Sequence, residues 1–309
     1  MHAGHPNADA VAAMADVLEG LAFECLTSAF VTWAHRMTLE YLARGRRTPG
    51  NDAALEALRR VDLIGVTAMA TGMKALAGME PLGVTGAMVE GRLRISGRIP
   101  WASNLVPGAV IVLPVAVEDG RRLVVRITRD DPGVQIRPAT GLMALDATAS
   151  GMATLEAVAV EDDAVLSEDF ATFAAGFRPT FLILQTALAI GVARRAATEG
   201  QARLDRPGLE GLRGCVEDVG ARVQELTRRW RTLPLTTSSA AELRELLAVR
   251  LEASILVGDA ARVESAVAGG AGYVASSPTS RRLRESTFFP VQSPSEAQLR
   301  AELAALDQR

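Results

Sequence analysis

The hydrophobic period of this 309-residue chain changes twice along its length. From residue 8 to 45, apolar residues recur at steps of three and four, as on one face of an amphipathic helix. From residue 83 to 165 the pattern becomes one of short apolar or alternating runs between turn residues, which predicts β-strands. After Asp162 the helical period returns and continues to the C-terminus. We therefore predict an α+β multidomain protein with domains at 1–82, 83–165 and 166–309.

Composition and charge exclude several classes of protein. The chain is 49% hydrophobic and 22% charged, which is ordinary for a globular protein. Its net charge of −3, with both signs interspersed, argues against nucleic-acid binding, which requires a basic stripe. The two cysteines, Cys25 and Cys215, lie far apart within helical patterns, so we expect buried thiols in a reducing compartment.

No targeting or membrane segment is expected. The first ten residues lack a basic start followed by an apolar run, so they do not resemble a secretion signal. The longest apolar run, Thr180–Ala193, is interrupted by Gln185 and Thr186 and is too short to span a bilayer. We expect a cytoplasmic protein.

Metal chemistry is not indicated by the sequence. The three histidines are dispersed, and no H-E-x-x-H, C-x-x-C or P-loop pattern occurs. His35, beside Trp33, is better explained as a packed helix residue than as a catalyst. We therefore expect no metal site.

The segment Glu90–Asn104 reads EGRLRISGRIPWASN and predicts two short β segments, Arg92–Ile95 and Arg98–Trp101. Gly91 and Gly97 fall at the bends. A plain hairpin with a core tryptophan would explain this pattern. An aromatic residue after a proline and before small polar residues also suits a loop that presents a flat ring and a hydroxyl to a planar ligand.

The spacing G-x-L-x-I-x-G-x-x-x-W-x-S-N resembles a motif in the middle β-domain of the acyl-CoA dehydrogenase family. The resemblance implies that Trp101 and Ser103 lie against the isoalloxazine ring of FAD. It further implies N-terminal helices, shortened here, then a middle antiparallel β-barrel or sandwich and a C-terminal four-helix bundle. In the region where the family has a flavin-contacting loop, Thr67, Met69 and Thr71 are the nearest candidates. For Met69, packing in the core is the alternative explanation.

A second stretch, Gly269-Gly270-Ala271-Gly272-Tyr273, follows an apolar helix. One glycine would suffice to end a helix, whereas three in four residues let a ligand approach the backbone closely. The stretch resembles the family's G-G-x-G-Y. The resemblance implies that Gly269, Gly270 and Gly272, with Ser295 nearby, contact FAD, the glycines at its adenosine half on a neighbouring subunit. A homo-oligomer, dimer or tetramer, is therefore expected.

The catalytic base of the family has no counterpart where the resemblance places it. Most members carry a glutamate in the loop before the last helix, and Ser293 stands at that position. The run Ser293-Pro294-Ser295-Glu296 predicts a capping box, with Glu296 at its third helical position; Glu296 as a displaced base is the alternative. A minority of members use the acid of a Glu-Arg pair, where this chain has Phe177-Arg178. Arg178 remains a candidate substrate-binding residue.

Three functions are consistent with these residues. The first is an FAD-dependent oxidoreductase that dehydrogenates the Cα–Cβ bond of an acyl-CoA or related thioester by hydride transfer to flavin N5. The second is a reduced-flavin-dependent monooxygenase on the same fold, a reaction that needs no α-proton base. The third is a catalytically silent subunit that pairs with a full-length homologue in a hetero-oligomer.

Overall fold

The computed structural model describes residues 8–308. These residues form two compact units. The helical unit contains 8–30, 143–145 and 179–308, and the sheet unit contains 31–142 and 146–178. Of the ten residues on which the expectation of no secretion signal rests, the first seven, which include His2 and His5, lie outside the described part. The three-domain division stays a prediction.

The helical period at the N-terminus is confirmed. It forms α1 (Ala8–Glu24) and α2 (Leu26–Arg44), followed by the shorter α3 (Pro49–Arg59) and α4 (Ala70–Leu76). Helix α3 begins at Pro49. The reason is local, because the Thr48 hydroxyl accepts a hydrogen bond from the backbone N–H of Asn51, 3.1 Å away, and Pro49 occupies the first helical position.

The predicted β region forms one mixed sheet. Its strands are β1 (Gly65–Thr67), β2 (Val84–Val89), β3 (Arg92–Ala102), β4 (Val110–Val117), β5 (Arg122–Thr128), β6 (Val134–Pro138), β7 (Gly151–Val160) and β8 (Val165–Ser167). The strand order is β6-β7-β3-β2-β4-β5-β8, with β1 also paired to β4. We predicted an antiparallel sheet, but β4 runs parallel to both β1 and β2. The parallel pairing arises because the chain crosses from β3 to the other side of β2.

Strand β4 explains the continuous apolar run in this part of the sequence. Ile111, Leu113 and Val115 on one face join the main core of the sheet. On the other face, Pro114 packs so closely against α4 that a Cβ on Gly72 would lie 2.7 Å from its ring. A strand covered on both faces cannot alternate polar and apolar residues, so its sequence shows no period of two.

The two β segments that we predicted within Glu90–Asn104 are one continuous strand, β3. It pairs with β2 through a two-residue turn in which Glu90 and Gly91 both have positive φ, 51° and 78°, as a type I′ hairpin requires. Gly97 lies within the strand at φ 141°, beside a register shift against β7. A Cβ at Gly97 would approach the carbonyl oxygen of Gly83 to 2.2 Å, so only glycine fits.

The C-terminal helical region is also confirmed. It consists of α5 (Phe170–Gln201), α6 (Arg213–Trp230), α7 (Ala240–Ala268), α8 (Gly270–Tyr273), α9 (Pro278–Ser286) and α10 (Glu296–Asp307). Helix α6 buries one stripe of apolar residues that ends at Trp230, whose indole N–H donates to the carbonyl of Ile183, 3.0 Å away. Helix α7 begins at a capping box formed by Ser239 and Glu242.

Helix α5 is longer than the apolar run that we considered for a membrane span. Among the described residues it is the one helix long and apolar enough to cross a bilayer by length and composition. However, 78% of its most apolar window is buried inside the protein. Gln185 and Thr186, which interrupt the run, are buried and hydrogen-bonded to backbone carbonyls. These are the properties of a core helix in a soluble protein.

One expectation about the cysteines was wrong. Cys25 is partly buried, but the Cys215 thiol is exposed. Cys215 lies in the first turn of α6 next to Val216, the first residue of the buried stripe, and so faces away from the core. A helical sequence pattern locates the buried face of a helix only to within about one residue, so it did not distinguish Cys215 from Val216.

Gly97→Ala tests the close approach within β3. We expect the substitution to lower the free energy of unfolding by about 3 kcal/mol, because the backbone must leave a glycine-only conformation or the strand must shift. Gly220→Ala in α6 is the control, since nothing lies within 4 Å of its added Cβ, and it should be neutral or stabilising by up to about 1 kcal/mol. Denaturant unfolding measures both. Equal stability of the two variants would contradict the close approach of Gly97 to the carbonyl of Gly83.

Candidate functional site

A β-bulge turns Trp101 outward. In the pairing of β3 with β7, Ile99 faces Ala153 and Ala102 faces Gly151. Between these two pairs, β3 has two residues, Pro100 and Trp101, where β7 has one. A bulge of this kind redirects side chains, and here both Pro100 and Trp101 become exposed. The Trp101 side chain is 60% exposed, which contradicts the interpretation of a core tryptophan and leaves a flat indole face accessible.

The residues after the bulge are held by Asn104. Its side-chain amide is buried and donates to two backbone carbonyls, that of Val31 in α2 at 2.9 Å and that of Gly65 in β1 at 3.1 Å. Its backbone is left-handed, with φ 64°, a conformation that asparagine tolerates better than most residues. The position of Ser103, which directly precedes it, is fixed by these bonds.

Ser103 belongs to a chain of three hydroxyl groups. Its Oγ lies 2.6 Å from the Oγ of Ser150, which in turn lies 2.6 Å from the Oγ1 of Thr148. Ser103 and Ser150 are half-buried and Thr148 is buried. A hydroxyl can both donate and accept, so Ser103 can offer either function to a bound molecule.

The other candidates near β1 differ in accessibility. The hydroxyl of Thr67 lies 3.0 Å from that of Tyr41, a buried residue whose pKa is raised by desolvation and which is therefore neutral. Thr71 is half-buried in the first turn of α4. Met69 is only 1% exposed, so its side chain fills the core, as the alternative explanation had it.

His35 and Arg178 also belong to the sheet unit. The Nδ1 atom of His35 accepts a hydrogen bond from the backbone N–H of Gly65 at 3.0 Å, and burial lowers the pKa of the ring. A neutral, hydrogen-bonded imidazole agrees with a packed helix residue. Arg178, the candidate substrate-binding residue, is half-buried in α5.

The glycine-rich stretch of the helical unit has two parts with different explanations. Gly269 and Gly270 are exposed, and nothing lies within 4 Å of a Cβ built on either. Gly272 is buried, and its Cβ would lie 2.6 Å from that of Ala268, so helix packing alone demands glycine there. The accessible backbone is therefore that of Gly269 and Gly270, next to the 89% exposed Tyr273.

The capping box that we predicted at Ser293 was wrong. Helix α10 begins at Glu296, and its N-cap is Ser295, whose hydroxyl accepts from the backbone N–H of Gln298 at 3.3 Å. The helix starts later because the backbone N–H of Glu296 donates to the carbonyl of Pro290, 2.9 Å away, which folds the preceding loop back on itself. This capping role explains Ser295 without a cofactor.

The sequence position that the resemblance assigns to the catalytic base holds a serine, Ser293. The loop from Phe288 to Ser295 contains no acidic residue in its sequence. Glu296, the alternative base, accepts hydrogen bonds from both Nε and Nη2 of Arg300, at 3.0 and 2.8 Å. Both bonds fall on Oε1, so this ion pair occupies one of the two carboxylate oxygens.

Two buried side chains hold that loop from neighbouring helices. Gln185 donates from its amide to the carbonyl of Ser293 at 2.8 Å, and Arg250 donates from Nη2 to Oε1 of Gln292 at 3.0 Å. Arg250 is fully buried, and desolvation lowers its pKa to about 10. Its Nε and Nη1 atoms find no hydrogen-bond partner among the described residues.

Helix α9 contributes buried charged residues to the packing of the helical unit. Glu285 is buried, and desolvation raises its pKa despite the neighbouring arginines. A buried ion pair joins the same helix to α7, with Nε of Arg282 2.8 Å from Oε2 of Glu264. Helix α9 is thus anchored beside the glycine-rich stretch.

Comparison with solved structures identifies the fold. A glutaryl-coenzyme A dehydrogenase in complex with glutaryl-CoA superposes with a TM-score of 0.85 at 15% identity, covering 99% of this chain and 82% of that one. For the butyryl-CoA dehydrogenase of Megasphaera elsdenii the TM-score is 0.81 at 14% identity, covering 94% and 80%. The chain has the acyl-CoA dehydrogenase fold.

The same fold includes another kind of enzyme. A dibenzothiophene monooxygenase from Paenibacillus sp. A11-2 superposes on the chain with a TM-score of 0.78 at 16% identity, covering 97% of this chain and 84% of that one. A second structure of that enzyme is described as FMN-bound. No protein-family model and no curated protein sequence matches the chain. The likeness therefore concerns the fold and does not choose a reaction.

Within the acyl-CoA dehydrogenase fold, two residues of the hydroxyl chain were missed by the sequence analysis. Thr148 and Ser150 precede β7, and each contacts another hydroxyl of the chain. The available signal was the alternation of two hydroxyl residues, T-A-S, just before a predicted strand. Nothing local indicated that they meet Ser103, which is 47 residues from Ser150.

Ser295→Ala tests where the last helix begins. We expect a loss of about 1 kcal/mol in the free energy of unfolding, because the backbone N–H of Gln298 loses its acceptor. Ser295→Asp is the matched control, since aspartate caps equally well and should keep stability near that of the wild type. Denaturant unfolding checks both. An alanine variant as stable as the aspartate variant would refute the cap.

Proposed function

We propose that the protein is a flavin-dependent oxidoreductase whose FAD places its isoalloxazine ring beside Trp101 and Ser103. One observation carries this proposal, namely the bulge in β3 that exposes an indole face two residues before a half-buried hydroxyl. Aromatic faces stack on planar rings, and a hydroxyl complements the polar edge of such a ring. The fold shared with an FMN-bound enzyme supports the same cofactor class.

The open glycines suit the other half of the cofactor. Nothing lies within 4 Å of a Cβ built on Gly269 or Gly270, so a nucleotide can approach that side of the backbone closely. We propose that they contact the adenosine half of an FAD bound to another subunit, which makes the active form a homo-oligomer. Gly272 is left out of this set, because packing explains it.

Dehydrogenation of an acyl thioester is the first candidate reaction. Bound FAD would supply a hydride acceptor, and the protein must supply a base for the α-proton. The chain offers a hydroxyl, Ser293, where a carboxylate would act, and no acid elsewhere in that loop. Arg178 is our candidate for holding the thioester substrate.

A reduced-flavin-dependent monooxygenase is the second candidate. The specific observation in its favour is the same loop, which lacks an acid while Glu296 is paired with Arg300. Oxygen chemistry on a reduced flavin does not require removal of an α-proton, so the loss of the base leaves this reaction unaffected. A dibenzothiophene monooxygenase on the same fold is a precedent for the reaction class.

Trp101→Ala tests the flavin site. We expect the affinity for FAD to fall by about tenfold or more, because stacking on an aromatic side chain contributes roughly 1–3 kcal/mol. Trp101→Phe should retain most of the affinity. Met88→Ala is the control, since Met88 is a 55% exposed apolar residue on β2. Quenching of flavin fluorescence measures the affinities. A protein that takes up no FAD or FMN would refute the proposal and favour a silent subunit.

Ser293→Glu separates the two reactions. If the substrate is an acyl thioester, we expect slow flavin bleaching by acyl-CoAs in the wild type under anaerobic conditions. The new carboxylate should accelerate it by about 100-fold or more, the usual contribution of a general base. Ser293→Gln is the control of equal size without the base. No acceleration over this control, together with oxygen consumption when reduced flavin is supplied, would favour the monooxygenase.

A further inference from the structure

The hydroxyl chain runs from an accessible position into the core. Ser103 and Ser150 are half-buried, and Thr148 at the inner end is only 1% exposed. Both oxygen–oxygen distances are 2.6 Å, at the short end of the range for hydroxyl hydrogen bonds. Three hydroxyls in contact, one of them buried, form a connected polar path from Ser103 inward.

Backbone hydrogen bonds fix the spacing of these hydroxyls. The N–H of Asn104 donates to the carbonyl of Thr148 at 2.8 Å, and the N–H of Leu105 donates to that of Ala149 at 3.1 Å. Ala149 has a left-handed backbone with φ 48°, which is unusual for a residue with a side chain. The segment that carries Thr148 and Ser150 is therefore bonded directly to the segment that carries Ser103.

Counting hydrogens shows why the middle residue matters. Each hydroxyl has one hydrogen, so Ser150 donates to Ser103 or to Thr148 but not to both. When Ser150 donates to Ser103, the Ser103 hydrogen is free to point outward. When Ser103 donates to Ser150, a lone pair of Ser103 faces outward instead. The direction of the hydrogen bonds along the three hydroxyls thus decides whether Ser103 acts as a donor or an acceptor toward a bound molecule.

We infer that Ser150 and Thr148 are positioning residues that orient the Ser103 hydroxyl toward the flavin ring. This inference rests on the proposed function. A ring nitrogen that accepts a hydrogen bond in oxidised flavin carries a hydrogen after reduction, so its protein partner must change from donor to acceptor. Reversal of the hydroxyl chain gives Ser103 both roles without moving the backbone.

The test is a double-substitution cycle in the full-length protein. We expect Ser103→Ala to weaken FAD binding about fivefold, the effect of losing one hydrogen bond. Ser150→Ala should weaken binding about twofold to threefold and shift the visible absorption maximum of the bound flavin. The double variant should bind as Ser103→Ala does, because Ser150 acts only through Ser103. Ser150→Thr keeps the hydroxyl and should restore both affinity and spectrum.

Ser96→Ala is the matched control for a purely structural serine. The Oγ of Ser96, on the same strand β3, accepts a hydrogen bond from the backbone N–H of Ala157 at 2.9 Å. Its loss should reduce stability but leave the flavin spectrum and midpoint potential unchanged. In Ser150→Ala the midpoint potential should shift, because oxidised and reduced flavin lose different hydrogen bonds. Thr148→Val removes the innermost of the three hydroxyls. It should shift the flavin spectrum and the midpoint potential in the same direction as Ser150→Ala does, and it is the second variant if Ser150→Ala folds poorly.

Each outcome either supports or overturns the inference that Ser150 and Thr148 orient Ser103. Non-multiplicative affinities with rescue by Ser150→Thr support the inference. Multiplicative effects of Ser103→Ala and Ser150→Ala, or a spectral shift of equal size in Ser96→Ala, overturn it while leaving the flavin site intact. A flavin-loaded wild type whose Ser150→Ala variant is unchanged in affinity and spectrum overturns it in the same way. A wild type that binds no flavin overturns both this inference and the proposed function.

Discussion

The buried amide of Asn104 is the interaction on which the candidate site depends. Its two N–H bonds join the end of β3 to the carbonyls of Val31 and Gly65, and its backbone N–H binds Thr148. A buried polar group without a partner costs about 1–3 kcal/mol, and these two bonds satisfy the buried amide nitrogen of Asn104. The bulge at Trp101 and the hydroxyl of Ser103 are accessible in a fixed place because the next residue is anchored.

Local physics made much of this region predictable. The hairpin turn at Gly91 and the strand and helix periods follow from residues within a few positions of each other, and they are present in the structure. Asn104, in contrast, is the last residue of the W-x-S-N motif, and the sequence predicted no role for it. Its amide partners lie 73 and 39 residues away, and no period or turn signal in one sequence encodes contacts of that separation. The same applies to Ser150 and Ser103.

The loop before α10 shows how a sound local rule fails. Ser293, Pro294 and Glu296 fit a capping box in sequence, yet the chain turns back so that Glu296 bonds to Pro290 and the cap moves to Ser295. Long-range bonds from Gln185 and Arg250 hold the loop in that form. A fully buried guanidinium with unpartnered nitrogens among the described residues is unfavourable by several kcal/mol in general. No pattern of apolar periods would place an arginine there.

The departures from the acyl-CoA dehydrogenase pattern are unevenly distributed. Among the residues that we assign to the flavin, Trp101, Gly269 and Gly270 are exposed and Ser103 is half-buried. At the base position, the acid is replaced by Ser293. This distribution supports our proposal of a flavin protein whose substrate chemistry differs from proton abstraction by a glutamate in that loop.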